Sequence, residues 1–181
     1  MDNNDLIEQV ESFAKGYYEQ VTVRPNIWRT HVQLVRKFSY ELAEIEEVNP
    51  KVVEIAAILH DIGRIEAGEE HYIRSYDLSK PFLESLGFSG DYRELILECI
   101  LKHSMRYASE DNKTEVRVIQ CADALANLFD EELQEYSRNT MPKDEINQAF
   151  SKLLNKITLD SARAIAEPRV QKLQAMLEQE K

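Results

Sequence analysis

The 181-residue chain has few of the residues that interrupt secondary structure or cross-link a chain. It contains only five glycines, five prolines and two cysteines. So few turn-forming residues disfavour a fold of many short strands and favour long helices. Cys99 and Cys121 form no C-x-x-C pair and lie in apolar stretches. We therefore expect buried, reduced thiols rather than a disulfide scaffold or a thiolate metal site.

Long apolar runs and an excess of positive charge are also lacking. No run approaches the roughly 20 apolar residues that a membrane span needs, and the acidic residues 1–5 are unlike a secretory leader. With 22 basic and 33 acidic residues, the formal net charge is −11. Such a charge disfavours nucleic-acid polymers and anionic membrane surfaces as partners. Because the sequence indicates reduced thiols, no membrane span and no secretory leader, we expect a cytoplasmic protein.

Apolar residues at helical spacing are present along most of the chain. They predict helices over residues 5–19, 27–46, 50–62, 72–86, 92–103, 115–135, from 140–142 onwards and 159–179. Gly63 is a candidate helix C-cap. Pro81 is expected to kink or restart its helix, and Pro168 is expected to interrupt the last helix. The sequence thus predicts one all-α domain over residues 1–181, in which helices 140–181 pack on the core. The apolar positions of that last segment could also form a homodimer face, although core is the favoured interpretation.

Three predicted helices direct a histidine or an aspartate towards the core. His31 and His103 lie on the apolar faces of their helices, and His60 follows a run that is apolar on every side. Asp61 comes next, and a buried carboxylate beside a buried imidazole is costly unless a cation compensates. Taken singly, such a histidine is more often a hydrogen-bonded core residue than a metal ligand. Asp123, which lies in a later predicted helix, could likewise belong to a solvated helix face. Together, imidazoles and carboxylates are the ligand set of Zn, Mn, Fe or Ni.

The order of these residues resembles the H…HD…D signature of the HD-domain superfamily of metal-dependent phosphohydrolases. The signature positions are occupied by His31, His60, Asp61 and Asp123. With His71 and His103 the order becomes H…HD…H…H…D, similar to that of small stand-alone bacterial HD proteins, some of which act on nucleotides. The resemblance covers residues 25–130 and implies a helical bundle of the HD type. It also implies that the four signature residues hold one divalent ion: Mn, Fe, Ni, Co or Zn, with Mg as a further option.

The resemblance further implies a reaction and a role for each polar residue. A divalent ion lowers the pKa of water and polarises a phosphoryl oxygen, and Asp61 could both bind the ion and orient the water. His71 and His103 could bind the substrate phosphate or protonate the leaving oxygen, or they could hold a second ion bridged by Asp61. Arg64 and Lys102 are candidate phosphate contacts, although each could equally be an ordinary solvated charge.

Three functions fit this pattern. The leading hypothesis is a metal-dependent phosphohydrolase for a small phosphorylated metabolite, with nucleotides as the favoured class. The second is a di-iron oxygenase, which would use the same six ligands with His71 and His103 on the second iron. The third is a non-catalytic, metal-stabilised regulatory module. Hydrolysis is favoured because it is the commoner use of the fold that the sequence resembles.

Overall fold

A computed structural model describes residues 3–21, 24, 26–65 and 70–179 of the chain, which form helices and connecting loops without a strand. The α-helices are α1 (Asn3–Tyr18), α2 (Gln33–Ile45), α3 (Pro50–Leu59), α4 (His71–Ser85), α5 (Gly90–Lys102), α6 (Thr114–Phe129), α7 (Glu131–Thr140), α8 (Lys143–Lys156) and α9 (Asp160–Gln179). A π-helical turn (Trp28–Val32) precedes α2, and a 3-10 turn (Met105–Tyr107) follows α5. The predicted all-α fold is confirmed. Within these described ranges, no helix is both long and apolar enough to cross a bilayer.

Helix α3 lies at the centre of the fold. It begins after Asn49, whose side chain accepts a hydrogen bond of 3.0 Å from the backbone N–H of Lys51. Its apolar residues are buried on all sides, and α1, α2, α5 and α6 pack around it. The hydroxyl of Tyr18 fixes α1 to this helix by donating to Ile58 O at 2.9 Å. A helix that is apolar on every face is stable only in such a central position.

Helix α6 is the second buried helix, and it joins the C-terminal segment to the core. Helices α2 and α3 pack against it, as do α8 and α9. Arg117 on α6 donates to the carbonyl of Thr158 at 2.8 Å, and Arg169 on α9 donates to Leu128 O at 2.9 Å. The buried apolar residues of the C-terminal segment are Ile157, Leu159, Ala162, Ala166, Leu173 and Leu177. A homodimer remains a prediction.

The expected restart at Pro81 and the expected interruption near Pro168 are wrong. Helix α4 continues through Pro81 and α9 continues through Pro168. A proline removes one backbone donor from a helix and leaves the carbonyl four residues earlier without its partner. Here those carbonyls belong to Asp77 and Ala164, which are exposed. Water can therefore satisfy them, and both helices persist.

The predicted helix over residues 115–135 is in fact two helices. Helix α6 ends at Phe129, and α7 begins directly after Asp130. The Asp130 side chain accepts a hydrogen bond of 3.0 Å from Leu133 N and forms an ion pair of 2.6 Å with Arg24. An aspartate that caps one helix in an extended backbone conformation ends the preceding helix.

Gly63 has a different role from the predicted C-cap. The regular helix ends at Leu59, and residues 60–63 form a turn. A Cβ on Gly63 would lie 2.5 Å from His71 O and 2.5 Å from Ser75 N. The backbone N–H of Gly63 also donates to Ser75 Oγ at 3.0 Å. Glycine is therefore required because the first turn of α4 packs directly against this turn.

The two cysteines are buried and free, as expected. Cys99 lies on α5 and Cys121 lies on α6. Burial raises the pKa of both thiols. Both therefore remain protonated and behave as small core residues.

Candidate metal centre

His31 is placed by the π-helical turn Trp28–Val32. Such turns are rare and occur frequently at functional sites. The residue is 1% exposed. Its Nε2 lies 3.0 Å from Asp123 Oδ1 and 3.3 Å from His60 Nε2. Three segments that are far apart in the chain therefore meet at this imidazole.

His60 and Asp61 lie in the turn that follows α3. His60 Nδ1 is 2.8 Å from the carbonyl of Ala57, which can only accept, so Nδ1 carries the hydrogen. In the neutral ring this leaves the lone pair on Nε2. Asp61 Oδ2 lies 3.6 Å from this Nε2 and 3.8 Å from His31 Nε2. We call His31, His60 and Asp61 the first trio.

A second trio forms on the other oxygen of Asp61. Its Oδ1 lies 3.2 Å from Nε2 of His71, on α4, and 3.4 Å from Nε2 of His103, just after α5. The two Nε2 atoms are 3.1 Å apart. His103 Nδ1 donates to Ile100 O at 2.6 Å, so its lone pair is also on Nε2. Asp61 is thus shared, with one carboxylate oxygen in each trio.

The spacing of these atoms fits a divalent ion in either trio. With metal–ligand bonds of about 2.1 Å, neighbouring ligands are about 3.0 Å apart around an octahedral ion and about 3.4 Å apart around a tetrahedral one. The separations within the trios are 3.1 to 3.8 Å. Imidazole lone pairs that converge at such distances repel each other unless a cation lies between them. The donor set therefore fits a metal ion.

Burial lowers the pKa of His31, His60 and His71 and so favours the neutral form that binds metal. It lowers the pKa of His60 to about 3 and that of His71 to about 4, in each case against the opposing charge of Asp61. Burial alone would raise the pKa of Asp61, but the Arg64 guanidinium holds it well below its ordinary value. At neutral pH, His31, His60 and His71 thus present uncharged nitrogens and Asp61 an ionised carboxylate, which are the states required of metal ligands.

Asp123 presents one oxygen to the first trio and the other to a buried lysine. Its Oδ1 faces His31 and accepts a hydrogen bond of 3.1 Å from Asn127 Nδ2, one turn further along α6. Its Oδ2 accepts a hydrogen bond from Lys156 Nζ. Burial by itself would raise the pKa of Asp123, but the Lys156 ammonium holds it well below its ordinary value. The carboxylate is therefore ionised and fixed from two sides.

The two basic residues predicted to bind phosphate lie in different environments. Arg64 Nε donates to Asp61 Oδ2 at 2.8 Å, and its NH2 lies 2.9 Å from His71 Nε2. The ammonium of Lys102 instead pairs with Glu98 at 2.7 Å, one turn earlier on α5. The structure thus brings Arg64, and not Lys102, against the trios. A phosphate-binding role for either residue remains a prediction.

Sequence reasoning missed two residues that contact Asp123. Asn127 follows Asp123 by one helical turn, so the spacing of i and i+4 on one helix face could have indicated it. No spacing in the sequence indicates a contact between Lys156 and Asp123. Lys156 lies on a different helix and is separated from Asp123 by 33 residues. Only the packing of α8 against α6 brings the two together.

The family model of the HD domain matches residues 28–128. The chain belongs to this family. HD domains bind divalent metals, and the two trios are buried groups that could hold them. The matched span of this HD protein contains both trios and Asp123. The matched span ends before Lys156.

A protein of Clostridium beijerinckii is 32% identical to the chain over 96 residues. The match covers 49% of this chain and 57% of that protein. This HD protein therefore spans little more than half the length of the curated relative that it matches.

Solved structures share the fold over nearly the whole chain. Bacillus subtilis YpgQ has a TM-score of 0.75 at 18% identity and covers 99% of this chain and 95% of its own. The same protein in complex with ADP has a TM-score of 0.70 at 18% identity, with coverage of 96% and 94%. A predicted HD superfamily hydrolase from an uncultured Thermotogales bacterium has a TM-score of 0.66 at 19% identity, with coverage of 99% and 97%. At these identities the likeness concerns the fold.

Proposed function

We propose that this protein is a metal-dependent phosphohydrolase that acts on a small phosphorylated metabolite, with nucleotides as the favoured class. The observation that carries the proposal is the pair of buried trios that share Asp61, with the guanidinium of Arg64 beside them. The solved complex of YpgQ with ADP supports a nucleotide, because that protein has the same fold over 94% of its length. Fold likeness alone does not decide a substrate, so this choice needs its own test.

In this proposal, His31, His60, Asp61 and Asp123 would hold one divalent ion. Such an ion supplies Lewis acidity, which polarises a phosphoryl oxygen and lowers the pKa of nearby water. The chain contributes the geometry, because each of these four side chains is buried and is held by packing or by hydrogen bonds.

The shared carboxylate and the second trio would handle the proton. Asp61 Oδ1 is the acceptor that can orient an attacking water, since Oδ2 faces the first trio. The water loses its proton as its oxygen bonds to phosphorus, and the bond from phosphorus to the leaving oxygen breaks. His71 and His103 are 3.1 Å apart at Nε2, so either can accept that proton and pass one to the leaving oxygen.

Arg64 is the phosphate contact that the geometry favours. Its guanidinium lies at the edge of the cluster and is 34% exposed, so it can reach solvent and the trios alike. A planar guanidinium binds a phosphoryl group through two parallel hydrogen bonds. Such a local positive site reconciles a phosphorylated substrate with the net charge of −11. Lys102 would serve only a part of the substrate that lies farther out, next to Glu98.

The second trio supports one alternative, a di-iron oxygenase with the second iron on His71 and His103. The ligand atoms are suitably placed. However, Arg64 already donates towards His71 Nε2 at 2.9 Å, and a guanidinium there opposes a second cation. We therefore favour one resident ion and hydrolysis.

The proposal is tested by reconstituting metal-free protein with Mn, Co, Ni or Mg and screening nucleotides and simple phosphomonoesters for release of phosphate or pyrophosphate. We expect turnover with at least one metal and a loss of about 100-fold or more in Asp61→Ala, because that substitution removes a group shared by both trios. Asp77→Ala, which removes an exposed carboxylate on α4, is the matched control and should retain activity.

The outcomes distinguish the candidate functions. Wild-type activity in Asp61→Ala would show that the site is wrongly assigned. Iron near two per chain, with oxygen consumption and no hydrolysis, would select the oxygenase. A metal-dependent rise in melting temperature without turnover of any substrate would select the regulatory module.

A further inference from the structure

Lys156 is a buried lysine whose partner is a metal-ligand candidate. It is the last residue of α8 and is 4% exposed. Its Nζ donates to Asp123 Oδ2. A buried ammonium is costly unless it is paired and hydrogen-bonded. The ion pair with Asp123 therefore offsets the cost of burying the ammonium of Lys156.

The segment that carries Lys156 is fixed against α6 independently of the ion pair. Arg117, on α6, donates to Thr158 through both its Nε, at 3.2 Å to Oγ1, and its NH2, at 2.8 Å to the carbonyl. Arg163 Nε donates to Ile157 O at 3.2 Å. The bonds from Arg117 hold Thr158, two residues after Lys156, against the helix that carries Asp123, and the bond from Arg163 joins Ile157 to α9. The backbone next to Lys156 is thus held in place by contacts other than the ion pair.

The two oxygens of Asp123 have separate partners. Oδ1 faces His31 Nε2 at 3.0 Å and accepts from Asn127 Nδ2 at 3.1 Å, whereas Oδ2 is occupied by Lys156. With Oδ2 engaged, the carboxylate can bind an ion of the first trio through Oδ1 alone. Its rotation about the Cβ–Cγ bond is also restrained, so little side-chain entropy is lost when an ion binds.

We propose that Lys156 is a positioning residue for the metal centre: it holds Asp123 as a pre-oriented, single-oxygen ligand. The proposal rests on the proposed metal site and extends it beyond the matched HD span, since the residue lies outside 28–128. Outer-shell partners of metal ligands are typically worth about 10–100-fold in metal affinity. The opposing effect is repulsion between the ammonium and the ion, which would make removal of Lys156 tighten binding.

The test is the dissociation constant of Mn²⁺, measured by titration calorimetry on full-length, metal-free protein, together with the melting temperature of the same samples. We expect Lys156→Met, which is unbranched, one atom shorter and without the donor, to weaken Mn²⁺ binding by about 10–100-fold. Lys156→Arg, which retains the charge and the donor, should keep most of the wild-type affinity for Mn²⁺. Lys152→Met, an exposed position one turn earlier on α8, should bind as the wild type does.

A purely structural ion pair gives a different result. In that case Lys156→Met lowers the melting temperature but binds Mn²⁺ within twofold of the affinity of the wild type, and this result would overturn the proposal. Tighter Mn²⁺ binding by Lys156→Met would overturn it as well. If the methionine variant does not fold, Lys156→Gln keeps a neutral donor for Asp123 and is expected to weaken binding by about tenfold. Since affinity is measured without substrate, tight binding without hydrolysis would refute only the proposed reaction.

Discussion

Replacing Gly63 by alanine perturbs the contact that positions the second trio. The added Cβ would lie 2.5 Å from His71 O and from Ser75 N, whereas ordinary contact begins at 3.4 Å. Both neighbours are backbone atoms and cannot rotate away. The first turn of α4 must therefore retreat by roughly 1 Å, with some loss of the hydrogen bond of 3.0 Å between Gly63 N and Ser75 Oγ.

The displacement has one consequence for stability and one for activity. Overpacking of this kind costs about 1–3 kcal/mol, which corresponds to a fall of about 2–12 °C in melting temperature for a chain of this size. His71 moves with the turn, so its distance of 3.2 Å to Asp61 lengthens. A misplacement of about 1 Å can cost about 100-fold in rate. If the protein is the proposed phosphohydrolase, kcat/KM should fall by about that factor.

The assay is differential scanning calorimetry of the metal-free protein, followed by kinetics on the best substrate of the screen. Gly16→Ala is the matched control, because a Cβ there meets nothing within 4 Å on α1 and should leave stability equal or raised by about 0.5–1 kcal/mol. A melting temperature of Gly63→Ala at or above that of the wild type would refute the close-packing argument, whatever the activity.

Two further predictions concern pH and the number of ions. Since burial holds the pKa of His60 at about 3 and that of His71 at about 4, below the ordinary value of about 6.5, the unfolded chain takes up protons first on acidification. The free energy of unfolding in urea should therefore fall from pH 6.5 towards pH 4, by up to about 1.4 kcal/mol per pH unit for each such histidine; equal values at pH 7 and pH 5 would contradict this. Arg64→Met removes the cation beside His71 and should tighten binding of a second Mn²⁺ at least tenfold by calorimetry. The exposed Arg74→Met is its control, and unchanged stoichiometry and affinity in Arg64→Met would show that Arg64 does not exclude the second ion.

Helical periodicity in the sequence predicts that two members of the site, His31 and His103, face inward. His31 and His103 lie on apolar faces, and local spacing alone determines which face of a helix is apolar. The apolar run before His60 likewise predicts a central helix, and the residue order carries the resemblance to the HD family. The exact ends of helices are less predictable. The expected restart at Pro81 and interruption near Pro168 are wrong, because whether water reaches a carbonyl without its donor depends on the exposure of the surrounding turn.

The sequence by itself thus determined the all-α fold and the histidines and aspartates that meet in the core. The tertiary structure decided how they are supported. It placed Arg64 against Asp61 and His71 but turned Lys102 towards Glu98. It also brought Lys156 from α8 to Asp123. The physical reason is that periodicity specifies the direction of a side chain about its own helix axis, whereas a contact between distant residues depends on how two helices cross.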